Sequence, residues 1–281
     1  MIENSINIIH PTCNMAEAKP PGWTENITSM TPEAVELFRV YSKVPTDRIK
    51  EHIKHIHPYP CLATFTFLDL LITQSHQYGE VLQRIKDGDK FLDLGCCVGQ
   101  DIRKLVFDGA PSENTYGADL EPEFLEMGYK LFLDKSTLKT SFLTADLFDP
   151  KSSLRQLDGQ IDIVHASAFL HLFDYDSCVK AVHRIVLLFK KTPNCLFIGA
   201  QLGRLEAGSI PGSKGTEKYR HNVNSFAQMW DQVGEDTGTK WDVDARLNDE
   251  DLYARAEKMG IKAGFIPPGS RWLQFSVRRV A

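Results

Sequence analysis

Lys90-Phe91-Leu92-Asp93-Leu94-Gly95-Cys96-Cys97-Val98-Gly99-Gln100-Asp101 is the stretch that decides the fold. Phe91 to Leu94 is a short apolar run that ends in a glycine-containing turn, and Gln100 to Phe107 continues with helical spacing. A strand, a glycine turn and a helix in this order open an α/β sheet that binds its ligand at the carboxyl ends of the strands. The pattern repeats downstream. Strands are predicted at Thr115–Asp119, Ser141–Asp146, Ile161–Ser167 and Cys195–Gln201, with helices at Glu121–Asp134 and Asp174–Phe189. Strands separated by helices of roughly 10–15 residues imply βαβ crossovers and a parallel sheet.

The flanks read differently. After the fifth strand come a helix at Asn224–Asp236, a strand at Trp241–Leu247 and an alternating strand at Arg271–Val280. These bring the sheet to seven strands, mostly parallel, with an antiparallel hairpin at the C-terminal end. Residues 1–85 read as an N-terminal arm followed by a helical cap, and 86–281 as the core. Thr31-Pro32-Glu33 supplies an N-cap, a proline at the first helical position and an acid in the first turn. Ile49, Ile53 and Ile56 give a second helix an apolar face. The glycine-rich stretch at 203–224 shows no clear element and reads as an insertion that caps the substrate.

Composition bounds the function. Lys+Arg is 32 against Asp+Glu 37, a net charge of −5. That lacks the basic footprint of a nucleic-acid protein. No apolar run approaches the ~18 residues of a membrane span, and the N-terminus lacks a signal peptide's charged and apolar regions. Six cysteines in 281 residues are too few for a disulfide scaffold. A reduced, cytoplasmic protein acting on a small molecule is expected, and a homodimer is compatible with it.

The glycine turn fails two templates. It lacks the lysine of the phosphate loop, and Cys97 and Gln100 break the dinucleotide fingerprint. A third template has an acid at the strand end followed by glycines at alternate positions. Asp93, Gly95 and Gly99 fit it, with Cys97 in place of the middle glycine. On these residues the chain resembles the class I S-adenosylmethionine-dependent methyltransferases, whose Rossmann-like sheet agrees with the strand pattern. The resemblance implies that Gly95, Cys97 and Gly99 approach the methionine part of the cofactor, with Asp93 orienting the turn. Asp119, ending the second strand, would accept the ribose hydroxyls with Leu120 on the adenine face. Asp146, ending the third, would accept from the adenine amino group with Leu147 behind the ring. His165 would meet the cofactor through its backbone.

A narrower resemblance covers most of the chain from about residue 30. Its stretches are Pro58-Tyr59-Pro60-Cys61, Leu92 to Val106, Tyr116 to Leu120, Phe169-Leu170-His171-Leu172-Phe173, Arg220-His221-Asn222 through Met229-Trp230, and Phe275 to Arg278. They are similar to methyltransferases of fungal secondary metabolism, notably of meroterpenoid pathways. Members include enzymes that methylate the carboxyl group of a farnesylated aromatic polyketide acid to give a methyl ester, and the resemblance implies a hydrophobic terpenoid–polyketide acid of that class as substrate. Phenol O-methylation or C-methylation of a related molecule is the alternative.

The acceptor's acidity decides what catalysis needs. A carboxylic acid titrates near 4 and is already an anion at neutral pH, whereas a phenol near 10 benefits from a base. His171, after the fourth strand, reads as a base, a donor to the acceptor oxygen, or a cap for the following helix. Arg220 and His221 read as donors that a cap brings to a carboxylate, Arg being suited to a bidentate grip. No metal site is expected. His52 and His55 share a helix face without an acid or cysteine, and His57 abuts a proline, so they read as a solvated face.

Overall fold

The computed structural model describes Ile27 and residues 30–54, 65–212, 215–258 and 266–281. Strands β1 (Phe91–Leu94), β2 (Thr115–Asp119), β3 (Ser141–Thr144), β4 (Ile163–His165), β5 (Leu196–Arg204), β8 (Trp241–Leu247) and β9 (Ser270–Arg279) form one sheet in the order β3-β2-β1-β4-β5-β9-β8. The first five run parallel, and β9 pairs antiparallel with both β5 and β8. The predicted C-terminal pair is therefore present, although a helix separates its strands along the chain.

Alternation of side chains decides which face each helix covers. Leu92, Val164 and Phe197 point to one face and pack with α6 (Tyr175–Leu188) and with Phe226, Met229 and Trp230 of α7 (Val223–Thr237). Phe91, Ile163, Leu196 and Ile198 point to the other, against Val81 and Ile85 of α3 (Tyr78–Lys86) and Ile102 and Leu105 of α4 (Gln100–Phe107). Each fully buried Leu, Ile or Phe contributes roughly 1.5–3 kcal/mol, so the two faces account for most of the drive to fold.

A third cluster holds the N-terminal helices. Thr31 accepts from the Ala34 N–H and caps α1 (Pro32–Glu36), which continues as a π turn over Leu37–Tyr41. Leu37 and Phe38, with Ile49 and Ile53 of α2 (Ile49–Lys54), pack on Val98 of the glycine turn and on Leu131 and Phe132 of α5 (Pro122–Phe132). His52 is half-buried and donates from Nε2 to the Leu131 carbonyl at 2.7 Å, which corrects the solvated reading of that face. His55, His57 and the Pro58–Cys61 stretch lie outside the described residues.

The insertion also needs correction. β5 runs on to Arg204, and β6 (Gly208–Pro211) and β7 (Glu217–Arg220) pair antiparallel as a separate two-stranded sheet. Neither segment alternates in hydrophobicity, which hides them from a pattern search. A short helix α8 (Leu252–Lys258) before β9 was likewise not predicted.

Candidate active site

The site is built at the carboxyl ends of β1, β2 and β4. The Gly95 and Cys96 N–H groups both donate to the Ala118 carbonyl, at 2.8 and 3.1 Å, and the Gly99 N–H closes the turn on the Cys96 carbonyl at 2.7 Å. Gly95, Cys97 and Gly99 all adopt positive φ, of 69°, 51° and 65°. Glycine accepts this conformation at little cost, so Cys97 is the strained member of the turn.

The space freed at the two glycines is filled by protein. A Cβ on Gly95 would lie 2.7 Å from the Phe169 ring, and one on Gly99 would lie 2.7 Å from Arg103 Nη1 and 3.0 Å from Phe142. Arg103 is fully buried and holds the turn from inside. Its Nη1 donates to the carbonyls of Val98 (2.7 Å) and Gly99 (3.2 Å), while Nε and Nη2 grip Asp134. Its guanidinium lies over the rings of Tyr129, Phe132 and Phe142. Gly128 lets α5 come down on the turn, since a Cβ there would lie 2.4 Å from the Val98 carbonyl.

Asp119 ends β2. Oδ2 accepts the Cys97 N–H at 2.8 Å and Oδ1 accepts that of Glu121 at 3.1 Å. Burial raises its pKa above the ordinary aspartate value, against the pull of these two backbone bonds. Asp146 accepts the Phe148 N–H at 2.8 Å. Leu120 is 36% exposed, whereas Leu147 is 7% exposed and packs in the core with Leu92 and Ala118.

The Asp93 side chain bonds across the sheet and not to the turn. It is 2% exposed and faces His165, its partner in register on β4. Asp93 Oδ1 meets His165 Nδ1 at 2.8 Å, and His165 Nε2 meets Ser167 Oγ at 2.8 Å. The turn is oriented by Asp119 and Arg103 instead. The buried His165 ring thus bridges Asp93 and Ser167.

The loop after β4 carries His171 in a 3₁₀ turn, Leu170–Leu172. The Leu202 N–H donates to His171 Nδ1 at 3.3 Å, so the neutral ring carries its proton on Nε2. Burial, then the charges of Arg220 and Lys218, hold its pKa well below 6.5. Arg220 is 1% exposed and donates from Nη1 to the His171 carbonyl at 2.6 Å. The Tyr219 N–H donates to the Phe173 carbonyl at 2.7 Å, so β7 is fastened to the His171 loop twice. Burial brings the Arg220 pKa down to about 10. His221 is 1% exposed, with Nδ1 3.1 Å from Ser225 Oγ and Nε2 unpartnered among the described residues. Burial pushes its pKa down to about 4. Asn222 accepts the Ser225 N–H at 2.9 Å and completes a capping box that starts α7.

Sequence reasoning missed Arg103, Asp134, Phe142 and Ser167. A signal existed for Arg103: it stands four residues after Gly99, one helical turn along, among the apolar positions Ile102 and Leu105.

These residues suit an adenosyl cofactor. The positive-φ turn lies at the carboxyl end of β1, and an acid at the β2 end accepts only backbone N–H groups and keeps lone pairs for a ligand. The fold and site define a class I methyltransferase, a transferase that uses S-adenosylmethionine. Residues 23–68 match the meroterpenoid methyltransferase N-terminal domain, and residues 91–191 match a methyltransferase domain. The O-methyltransferase phiE of a fungal species is 40% identical over 267 residues, covering 91% of this chain and 87% of that protein. The O-methyltransferase atr3 of Stereocaulon alpinum is 40% identical over 271 residues, covering 92% and 76%. The asnovolin E/chermesin D methyltransferase nvfJ of Aspergillus novofumigatus is 39% identical over 220 residues, covering 75% and 79%. The chain belongs to this family of fungal meroterpenoid-type methyltransferases. Among solved structures, an S-adenosylmethionine-dependent methyltransferase from Mesorhizobium loti is 15% identical with a TM-score of 0.46, covering 74% of this chain and all of that one. No helix among the described residues is long and apolar enough to cross a membrane.

Proposed function

We propose that the enzyme methylates the carboxylate of a hydrophobic terpenoid–polyketide acid, giving a methyl ester. When bound, S-adenosylmethionine supplies an electrophilic methyl group on a sulfonium. Gly95, Cys97 and Gly99 would line its methionine part, Asp119 and Leu120 its ribose and adenine, and Asp146 and Leu147 the far edge of the adenine. The chain's own task is to hold the acceptor oxygen in line and exclude water.

The observation that carries this reading is the state of His171. Nδ1 is occupied by the Leu202 N–H, and the burial and neighbouring cations keep the ring neutral. Such a ring offers an N–H and has no free lone pair to take a proton. It suits an acceptor that is already an anion and not a phenol that must lose a proton. Arg220 acts through the His171 carbonyl, positioning the loop, and the β6–β7 sheet with the N-terminal helices forms the cover over the substrate.

The test uses methyl-labelled S-adenosylmethionine with a panel of prenylated aromatic acids, followed by mild alkali. Label that transfers and is then released by base is an ester and supports the reading. Label that transfers and survives base is an ether or a carbon-bound methyl, and overturns it in favour of phenol or carbon methylation.

A further inference from the structure

The Asp93–His165 pair continues to a third residue that the reading above does not use. Ser167 stands two residues beyond the end of β4 and is half-buried at the mouth of the site. Its Oγ receives the Ala200 N–H from β5 at 3.2 Å and lies 2.8 Å from His165 Nε2. The neighbouring Ala168 N–H donates to the Ala200 carbonyl at 2.7 Å, so the Ser167 backbone is fixed against β5 as well.

We propose that Ser167 positions the acceptor: the Asp93–His165 pair and the Ala200 N–H fill its oxygen with donors, leaving its own O–H to be given to the acceptor oxygen. This rests on the methyltransferase reading of the site, not on the choice of carboxylate. A hydroxyl has two acceptor sites and one proton. The Ala200 N–H takes one acceptor site. A His165 imidazolium, with both ring nitrogens donating, takes the other and spends its second N–H on Asp93. The serine proton must then go outward, to a group that the described residues do not supply, and a negatively charged oxygen is the strongest such partner.

The surroundings favour the charged ring. Asp93 is a buried carboxylate whose only hydrogen-bond partner among the described residues is His165, and its Oδ2 has none. A second acid, Asp101 of α4, is also 2% exposed, and accepts from the Ile72 N–H at 3.2 Å and the Gln100 amide at 3.1 Å. One ligand-type atom from each of Asp93, Asp101 and His165 falls within 4.8 Å of the others. A buried acid pair without a cation is costly. Burial opposes charge on His165, but Asp93 and then Asp101 outweigh it and raise its pKa above 6.5. The other titratable groups near the ring among the described residues are the Cys96 thiol beside Asp93, and His76, Asp244 and Arg246, which share a cavity of about 30 Å³ with it. Phe91 stacks on the remaining face, 6.2 Å between ring centres.

The test has two arms on the full chain with S-adenosylhomocysteine bound. In ¹⁵N-histidine NMR at pH 7, both His165 nitrogens should show imidazolium shifts, lost in Asp93→Asn. A neutral ring whose Nε2 accepts from Ser167 overturns the proposal, with no acceptor needed. In the second arm, methyl transfer to a farnesylated hydroxybenzoic acid is followed. Ser167→Ala should lower kcat/KM for the acid by about tenfold or more, with S-adenosylhomocysteine affinity within about twofold, while Ser167→Thr keeps most of the rate. Unchanged kcat/KM in Ser167→Ala overturns the proposal. Alkali-stable label with the same loss in Ser167→Ala sinks the carboxylate reading and supports Ser167. If the acid is not methylated at all, the substrate class falls, and the ring state alone decides on Ser167. Should Asp93→Asn not fold, the wild-type shifts and the serine variants still give the answer.

Discussion

Arg103 and Asp134 meet through both guanidinium edges, at 2.7 Å from Nε and 3.0 Å from Nη2, with neither side chain reaching solvent. Tyr41 adds its hydroxyl to the same carboxylate at 2.8 Å, so the N-terminal helices share the pair. Removing one partner of such a buried pair typically costs about 3–5 kcal/mol, because the other charge is left behind. Arg103→Met should therefore unfold at markedly lower denaturant concentration. Asp134→Leu added to it should recover part of the loss, since the stranded carboxylate is gone. Cofactor affinity should stay weakened in the double variant, because the Val98 and Gly99 carbonyls have still lost their donor. Equilibrium unfolding alongside calorimetric titration with S-adenosylhomocysteine checks both halves.

Asp119 ties the glycine turn to the β2 end through the Cys97 N–H. Asp119→Ala should weaken S-adenosylhomocysteine binding by roughly ten- to a hundredfold, the range for a lost hydrogen bond to a charged group. The same titration reads it. Wild-type affinity in this variant would remove Asp119 from the cofactor site.

Cys97 sits at a φ of 51°, where a side chain is strained. Its side chain packs on the N-terminal cluster, which offsets that strain. Cys97→Gly exchanges one for the other, so melting temperature and cofactor affinity should both stay close to wild type. Cys97→Val places a β-branched residue in the left-handed region and should lose about 1–2 kcal/mol. Thermal melts of the two variants side by side distinguish strain from packing.

His221 makes stability depend on acid. Its pKa is near 4 in the folded chain, against 6.5 ordinarily. Between those values the unfolded chain binds a proton that the folded one refuses, so stability is lost as pH falls from 6.5 to 4. The loss is on the order of 3 kcal/mol. Asp101, raised to about 6 chiefly by burial, acts with the opposite sign in much of that window. The His221 contribution is lost in His221→Asn, while those of Asp101 and of the buried, neutral His171 are common to both proteins. Denaturant unfolding at several pH values should show the variant losing less stability on acidification.

The sheet was legible because its signal is local. β1, β4 and β5 are apolar runs, helices flank β1, β2 and β4, and Asp119 falls at the end of β2, while Asp146 stands two residues past the end of β3, which stops at Thr144 and not at Asp146 as predicted. The β6–β7 sheet was not legible, because Gly208–Pro211 and Glu217–Arg220 gain their order from each other and from the Phe173 carbonyl. The Arg220 reading illustrates the same limit. An arginine in a glycine-rich loop suggests an exposed fork for a ligand, and only the tertiary fold shows it buried on the His171 carbonyl. Asp93 looked like a turn-orienting acid because it precedes the glycines. Its true partner lies across the sheet, brought there by the register of β1 with β4.

The last strand lies inside the sheet, between β5 and β8. β9 is made after both of its neighbours and is, among the described residues, the one strand that ties β8 to the rest of the sheet. A chain cut before residue 270 would leave β5 and β8 without a common neighbour, and Trp241 and Val243 without the strand that holds them to the core.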